Sequence, residues 1–180
     1  MLTKALMIAA LLSLAPIAPA AAFELSSSSV SDGKWDQKYL AKECGGQNVS
    51  PALSWTDIPA GTKSLVLTLF DRDALGGFGW WHWQVFKIPP STMGLAENAG
   101  AKGNKGLPKE ATQGNADLGS PGYLGPCPPK GSGPHRFVFT LYALKSAKPD
   151  VEAGASPGMI VADTMRGALG SANVTYTYSR

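Results

Sequence analysis

Four segments of the chain have the alternating apolar and polar pattern, or the β-branched and aromatic content, that is typical of β-strands. They are Ser64 to Asp71, Trp81 to Ile88, His135 to Leu144 and Asn173 to Tyr178. The second and third segments carry apolar residues on both faces in places, as strands do in a sheet that is covered on both sides. The pattern therefore predicts a sheet at the centre of the fold.

One helix is predicted near the C-terminus. Ser156 can cap its first turn, Pro157 suits that turn because its φ is already close to helical, and Gly170 is expected to end it. The predicted inward face carries Ile160, Thr164 and Leu169. Strands still dominate, so the sequence predicts a mainly β fold, a β-sandwich with short peripheral and C-terminal helices.

Composition narrows the class of protein. Of 180 residues, 44% are apolar and 16% are charged, and the formal net charge is +3. These values exclude a disordered chain, a strongly basic nucleic-acid-binding protein and a protein with many membrane-spanning segments. Residues 91–134, where Gly, Pro, Asn and Lys are frequent, are predicted to form a long loop that is functional or mobile.

The first 22 residues have the pattern of a cleavable signal peptide. Lys4 precedes an apolar run from Ala5 to Leu14, and two prolines interrupt the segment before three consecutive alanines. A membrane-spanning helix needs about 20 uninterrupted apolar residues, so a retained anchor is the less favoured alternative. The sequence thus predicts a periplasmic or secreted protein whose mature part, residues 23–180, is a single domain.

The chain has two cysteines, Cys44 and Cys127, which lie far apart in the sequence. They form neither a Cys-x-x-Cys pair nor a four-ligand zinc pattern. In an oxidising compartment an even pair of cysteines most simply forms a disulfide, and we expect one here. Two unpaired buried thiols are the alternative.

Two histidines and an aspartate are predicted at strand ends. His82 lies between two tryptophans, which alternation places on the opposite face of the strand, and His135 begins the third strand. Asp71 ends the first strand, and Asp73 follows two residues later. If the first two strands pair as an antiparallel hairpin, Asp71 and His82 face each other at one rim of the sheet. His135 joins them if its strand runs parallel to that of His82.

Such a cluster is compatible with four roles. Imidazoles beside glycine-rich backbone suit a phosphate or carboxylate, and a nearby carboxylate favours the charged form of a histidine. Two histidines and a carboxylate also match the ligands of a facial metal triad. Nucleophilic catalysis has less support, because the chain has no Gly-x-Ser-x-Gly elbow and Cys127 would have to be a free thiol. In the fourth role each histidine only satisfies backbone groups, and residue types alone do not decide.

Longer motifs follow one another between Gly45 and Phe137, within a similarity that spans nearly all of the mature chain. They are Gly45 to Trp55 (GGQNVSPALSW), Pro59 to Ser64 (PAGTKS), Asp71 to Ala74 (DRDA), Trp81 to Trp83 (WHW) and Gly122 to Phe137 (GYLGPCPPKGSGPHRF). In this order they resemble the phosphatidylethanolamine-binding protein family, and more closely its bacterial Raf-kinase-inhibitor-like branch. The resemblance implies a large antiparallel sheet packed on a smaller one. It also implies a pocket at one edge for the phosphoryl head group of phospholipids, or for small anions such as phosphate and acetate.

The resemblance further implies which residues form the pocket. Carried over motif by motif, the ligand-binding residues are Asp71, His82, Pro129, His135 and Phe137. In addition, we expect Asp73, Trp81, Trp83 and Gly125 to be supporting residues. Many family members have Tyr in place of Phe137, so a hydroxyl that could reach an anion is missing here. Cys127 replaces a Gly of eukaryotic relatives, which fits a disulfide.

These observations lead to one predicted function and one alternative. We expect non-enzymatic binding of a small phosphorylated or carboxylated ligand, with protonated histidines attracting it, backbone N–H groups orienting it and no metal or cofactor. Binding is expected to weaken as pH rises through the histidine pKa, since positive charge is lost. The alternative is an inhibitor of a protease or kinase, which binds a protein partner through the loops around the pocket. Neither a nucleic-acid partner nor stable membrane insertion after signal cleavage is expected.

Overall fold

The computed structural model describes residues 22–30, 33–149 and 155–180, so the predicted signal peptide lies outside the described residues except for its last position. The strands are β1 (Glu24–Ser26), β2 (Leu53–Thr56), β3 (Ser64–Asp71), β4 (Trp80–Ile88), β5 (Gly94–Leu95), β6 (Thr112–Gln113), β7 (His135–Leu144) and β8 (Ala168–Tyr178). The α-helix, α1, is Pro157–Gly167. Short 3-10 helices are Gln37–Tyr39, Lys42–Cys44 and Ala74–Gly77.

The strands form two antiparallel sheets. The larger has the order β6-β4-β3-β7-β8, and the smaller has the order β1-β2-β5. One apolar core joins them, since Leu25 and Trp55 of the smaller sheet belong to the same buried cluster as Leu67 and Phe139 of the larger. The predicted mainly β fold, with a large antiparallel sheet packed on a smaller one, is therefore confirmed.

The boundaries of the long strands follow the alternation closely. β3 and β7 have the predicted bounds, β4 starts one residue early, and β8 starts at Ala168. The short strands of the smaller sheet and β6 were not predicted, because two to four residues are too few for a period to be recognised. Two of them, β5 and β6, lie inside the predicted loop of residues 91–134.

Helix α1 begins as predicted and ends earlier than predicted. The Ser156 side chain accepts a hydrogen bond from the N–H of Met159, which caps the first turn. The predicted stop at Gly170 is wrong, because the chain pairs with β7 from Ala168 onward. Leu169, which was expected on the inward helix face, therefore lies in β8. No helix in the described part of the chain is long and apolar enough to cross a membrane.

A β-bulge in β4 decides where His82 points. The pairing of β3 with β4 shifts register between Leu69 and Phe70, and the shift leaves His82 without a ladder partner. Alternation placed His82 opposite Trp83, but a bulge can re-aim a side chain. The His82 ring lies 5.3 Å from that of Phe137, in the same interior that contains Trp83. The predicted separation of His82 from Trp83 onto opposite faces is thus wrong.

The topology brings three strand ends together. β3 lies between β4 and β7 and is antiparallel to both, so β4 and β7 run in the same direction. Asp71 ends β3, His82 lies near the start of β4, and His135 starts β7. The hairpin and the parallel direction on which the predicted cluster depended are both present.

Candidate functional site

Asp71, His135 and Ser132 form a hydrogen-bonded chain at the rim of the larger sheet. Nδ1 of His135 lies 2.7 Å from Oδ2 of Asp71, and Nε2 lies 3.0 Å from Oγ of Ser132. Asp71 and His135 are only 3% and 5% exposed. Their proximity follows from register, since Asp71 pairs with Phe137 and His135 lies two residues before it on the same strand face.

The acceptors fix the hydrogen positions in this chain. Oγ of Ser132 also lies 2.8 Å from the carbonyl oxygen of Pro129, which can only accept, so the hydroxyl donates there. Its single hydrogen is then used, and Nε2 of His135 donates to Ser132. Because Nδ1 donates to the Asp71 carboxylate, both ring nitrogens carry hydrogens. His135 is therefore an imidazolium paired with a buried carboxylate.

The second oxygen of Asp71 is held by the backbone. Oδ1 accepts hydrogen bonds from the N–H of Asp73 at 3.0 Å and of Ala74 at 3.2 Å. The side chain of Asp73 turns away to Arg136, with contacts of 2.6 and 2.8 Å. These hydrogen bonds from Arg136 lower the pKa of Asp73 to about 2. The backbone that follows β3 thus orients Asp71, and Arg136 neutralises the charge of Asp73.

His82 differs from His135 in its protonation. Its Nδ1 lies 2.9 Å from the carbonyl oxygen of Leu124, so Nδ1 carries the hydrogen and donates. Burial lowers the pKa of His82, while the Leu124 carbonyl and the charge of Asp71 act in the opposite direction. The ring is therefore neutral near pH 7, with a lone pair on Nε2. The expectation that both histidines attract an anion as cations is wrong for His82.

Phe137 lies beneath the two imidazoles and outside the cavity wall. It is 0% exposed. Its ring is edge-on to His82 at 5.3 Å and stacked with His135 at 6.4 Å. Such contacts restrict the orientation of both rings. The resemblance implied that Phe137 lines the pocket, whereas its position is that of a supporting residue.

These groups open into a cavity of about 740 Å³. Its size is within the range of small-molecule sites, about 300–1,000 Å³. The polar residues of its wall are Glu43, Asp71, Asp73, His82, Ser132 and His135. Most of the remaining wall is apolar and includes Leu75, Trp80, Leu118, Leu124, Pro128 and Pro129. Among the described residues of the wall, none is Lys or Arg.

The three tryptophans of β4 have different surroundings. Trp80 lines the cavity. Trp83 is buried in the core, where its Nε1 donates to Oε1 of Gln113 at 2.6 Å. Trp81 packs against Phe70, with ring centroids 4.3 Å apart. Neither Trp81 nor Trp83 is in the cavity wall, and Trp80 is the tryptophan of β4 that lines it.

A disulfide between Cys44 and Cys127 is present, as predicted. Cys44 ends the 3-10 helix Lys42–Cys44, and Cys127 belongs to the cavity wall together with Pro128 and Pro129. The bond therefore fastens the proline-rich wall of the cavity to a separate segment of the chain.

Gly125 supports the same wall by close backbone contact. Its N–H donates to Oδ1 of Asn48 at 2.8 Å. A Cβ at this position would lie 2.3 Å from the carbonyl oxygen of Tyr39 and 2.4 Å from the N of Ala41. Only glycine allows these backbone segments to approach so closely.

We expect Gly125→Ala to lower the free energy of unfolding by about 1–3 kcal/mol, because backbone atoms would have to move. Gly158→Ala is the matched control. Gly158 lies in α1 with no atom within 4 Å of an added Cβ, so alanine there should stabilise the fold by about 0.5–1 kcal/mol. Urea unfolding of both variants measures the difference, and a Gly125→Ala variant as stable as the parent would contradict the close contact.

The two histidines offer little to a metal ion. His135 uses both ring nitrogens in hydrogen bonds, and Nδ1 of His82 is hydrogen-bonded to a carbonyl. Of the four ring nitrogens, only Nε2 of His82 therefore has a lone pair for a metal ion. Within residues 22–30, 33–149 and 155–180, no group of three His, Cys, Asp or Glu side chains is placed to hold a metal ion.

Sequence reasoning missed two functional groups at this site. Ser132, which contacts His135, lies inside the quoted motif three residues before that histidine, and this spacing was the available signal. The carbonyl of Leu124, which sets the tautomer of His82, lies 42 positions from it in the sequence. No sequence pattern predicts such a contact with the backbone.

The two-sheet fold and its rim cavity define a β-sandwich module with a site for a small ligand. The chain belongs to the phosphatidylethanolamine-binding protein family, whose model matches residues 26–179. Membership supports a binding function in general terms.

Relatives cover most of the chain. It is 37% identical over 164 residues to YbcL of Escherichia coli K12, which spans 89% of this chain and 90% of YbcL. The crystal structure of Escherichia coli YbcL matches with a TM-score of 0.83 and 35% identity, covering 89% of this chain and 99% of that one. YbhB of the same organism is 40% identical over 159 residues, 87% of this chain and 99% of YbhB. A putative lipoprotein of Mycobacterium tuberculosis, LppC, is 40% identical over 104 residues, 58% of this chain and 47% of LppC.

Proposed function

We propose that this protein binds a small phosphorylated or carboxylated ligand in the rim cavity and does not convert it chemically. The observation that carries the proposal is the hydrogen-bonded chain of Asp71, His135 and Ser132 at a cavity whose wall is otherwise largely apolar. A few convergent polar groups in an apolar cavity are typical of small-molecule sites. The acidic group of the ligand would lie at the polar base.

The size of the cavity favours a ligand with an organic portion. A volume of about 740 Å³ far exceeds that of a tetrahedral anion. Side chains such as Trp80 and Leu118 are available to an apolar or neutral portion of the ligand. A bare anion makes few contacts, which must offset the entropy lost on association, so we expect it to bind weakly. A phosphorylated ligand with an organic portion would use both the polar base and the apolar wall of the cavity.

The hydrogen-bond polarity favours binding over nucleophilic catalysis. Ser132, His135 and Asp71 follow one another in the order of a nucleophile triad, but a general base needs a free lone pair on the nitrogen that faces the hydroxyl. Here Nε2 of His135 donates, and the Ser132 hydrogen is directed to Pro129. This arrangement holds the imidazolium in place and does not activate the serine.

An exported location agrees with the disulfide and with the N-terminal sequence. Structural disulfides persist in oxidising compartments such as the periplasm. The similarity to a protein named as a putative lipoprotein also supports export. We therefore propose that the mature protein is periplasmic or secreted.

Isothermal calorimetry with phosphate and phosphoethanolamine tests the proposal. We expect His82→Phe, which keeps an aromatic ring against Phe137 but removes both nitrogens, to weaken binding at least about tenfold. Trp81→Phe is the matched control, since Trp81 is the adjacent residue of β4 and lies outside the cavity wall. Equal affinity of the parent and His82→Phe for both ligands would show that they do not bind in this cavity and would contradict the proposal.

Exposed apolar side chains favour the second candidate, an inhibitor that acts through the rim loops. Leu75, Phe78 and Leu118 are 65%, 90% and 62% exposed, and Leu75 and Leu118 belong to the cavity wall. Exposed apolar patches often mark interaction sites. A protease or kinase that binds His82→Phe as well as the parent, but loses affinity for Leu118→Ser, would support this candidate over the small ligand.

A further inference from the structure

One polar atom at the cavity is an unused hydrogen-bond acceptor. His82 belongs to the cavity wall, and its Nδ1 donates to the carbonyl of Leu124. The neutral ring then has a lone pair on Nε2, and this atom has no partner within the described residues. Because this atom faces the cavity, a ligand that displaces the water there is expected to supply a donor in its place.

Four N–H groups that share the cavity wall with His82 are already engaged. His135 gives one N–H to Asp71 and the other to Ser132. The backbone N–H groups of Asp73 and Ala74 both donate to Asp71. These four N–H groups are therefore not free for a ligand that consists only of acceptors.

The charge of the wall has the same consequence. Three carboxylates line the cavity, those of Glu43, Asp71 and Asp73, and His135 is the cation among the described residues of the wall. Arg136 neutralises Asp73 from outside the wall. Such a wall does not favour an anion whose oxygens are all unprotonated. A proton on the ligand reduces its charge and provides the missing donor.

We infer that the site selects acidic phosphates, which carry a P–OH group, over sulfates of the same shape, because Nε2 of His82 accepts a hydrogen bond from the ligand. This rests on the proposed function and names its ligand class: a phosphate monoester or inorganic phosphate that retains a proton.

The neighbours of His82 agree with this role. Burial keeps its pKa low, the carboxylates of Asp71 and Asp117 act to raise it, and His135 acts to lower it. The neutral ring is thus set by its surroundings before a ligand arrives. With sulfate, two sets of lone pairs would face each other. Sites built to hydrogen-bond a hydroxyl reject analogues that lack it far more strongly than apolar pockets reject a change of size.

The test compares phosphate with sulfate at about pH 7.5 and equal ionic strength. Every phosphate species that is abundant there carries a proton and sulfate carries none, while HPO₄²⁻ and SO₄²⁻ have the same charge. We expect sulfate to bind at least about tenfold more weakly by calorimetry. Equal affinities would overturn the inference and leave the proposed function standing. If neither anion binds, the inference is overturned, and the calorimetry with phosphoethanolamine decides separately on the proposed function.

A variant and a spectroscopic measurement test the atom itself. In His82→Phe the acceptor is absent, so the preference for phosphate should fall to about onefold, whereas Trp81→Phe should keep the preference of the parent. In the unaltered protein, long-range ¹H–¹⁵N NMR should show an unprotonated Nε2 on His82 both without and with phosphate, and two protonated nitrogens on His135. Protonation of His82 Nε2 on phosphate binding would overturn the inference even if His82→Phe does not fold.

Discussion

Removing the Cys44–Cys127 disulfide is expected to lower the free energy of unfolding by about 4 kcal/mol. The bond joins residues separated by 83 positions, and a cross-link of that span greatly restricts the unfolded chain. The folded arrangement of the wall should persist without the bond, because the N–H of Ala41 also donates a hydrogen bond to the carbonyl of Pro126 in this wall, at 3.2 Å. We therefore expect a protein that still folds but unfolds at a much lower urea concentration.

Urea unfolding of a Cys44→Ser, Cys127→Ser double variant measures this effect. The parent protein is compared with and without reductant, and the double variant serves as the control because reductant should leave it unchanged. The reduced parent and the double variant should then unfold at similar urea concentrations. A loss below about 1 kcal/mol would show that the cross-link adds little to the wall contacts already present.

The larger sheet could be predicted from the sequence because its strands are long and buried. β3 and β7 have eight and ten residues, enough for alternation to define both ends. β2 and β5 have four and two residues, and their place in the fold depends on partners elsewhere in the chain. Local pattern therefore predicts the central strands, while tertiary contacts determine the short ones.

The cluster at the rim was predictable only in part. Strand direction alone brings Asp71, His82 and His135 to one end of the sheet. The bulge that turns His82 inward adds one residue to one strand, and the alternating sequence pattern does not reveal it. For the same reason Trp80, rather than Trp81 or Trp83, lines the cavity.

The protonation states of His82 and His135 could not be predicted from the sequence, for a different physical reason. Each depends on burial and on partners that the fold supplies. His82 faces a carbonyl and is neutral, whereas His135 faces a carboxylate and is charged. Residue type is identical at both positions, so no composition or spacing argument could separate them.

The largest loss from a single substitution is expected for Asp71→Asn. The amide cannot balance the charge of His135, and removing one partner of a buried ion pair costs about 3–5 kcal/mol because the other charge stays buried. Asp73→Asn is the matched control, two residues away. It breaks a more exposed pair with Arg136, which should cost about 1 kcal/mol or less.

Urea unfolding of both aspartate variants, and of His135→Phe alone and combined with Asp71→Asn, completes this test. If Asp71 and His135 form an ion pair, each single variant leaves one buried charge without its partner, whereas the double variant leaves none. The double variant should therefore lose clearly less stability than the sum of the two single losses. Additive losses, or an Asp71→Asn variant as stable as Asp73→Asn, would contradict the ion pair. The charge of His135 is also what the proposed ligand meets at the base of the cavity. A large coupling energy would therefore support a fixed cation at the base of the cavity.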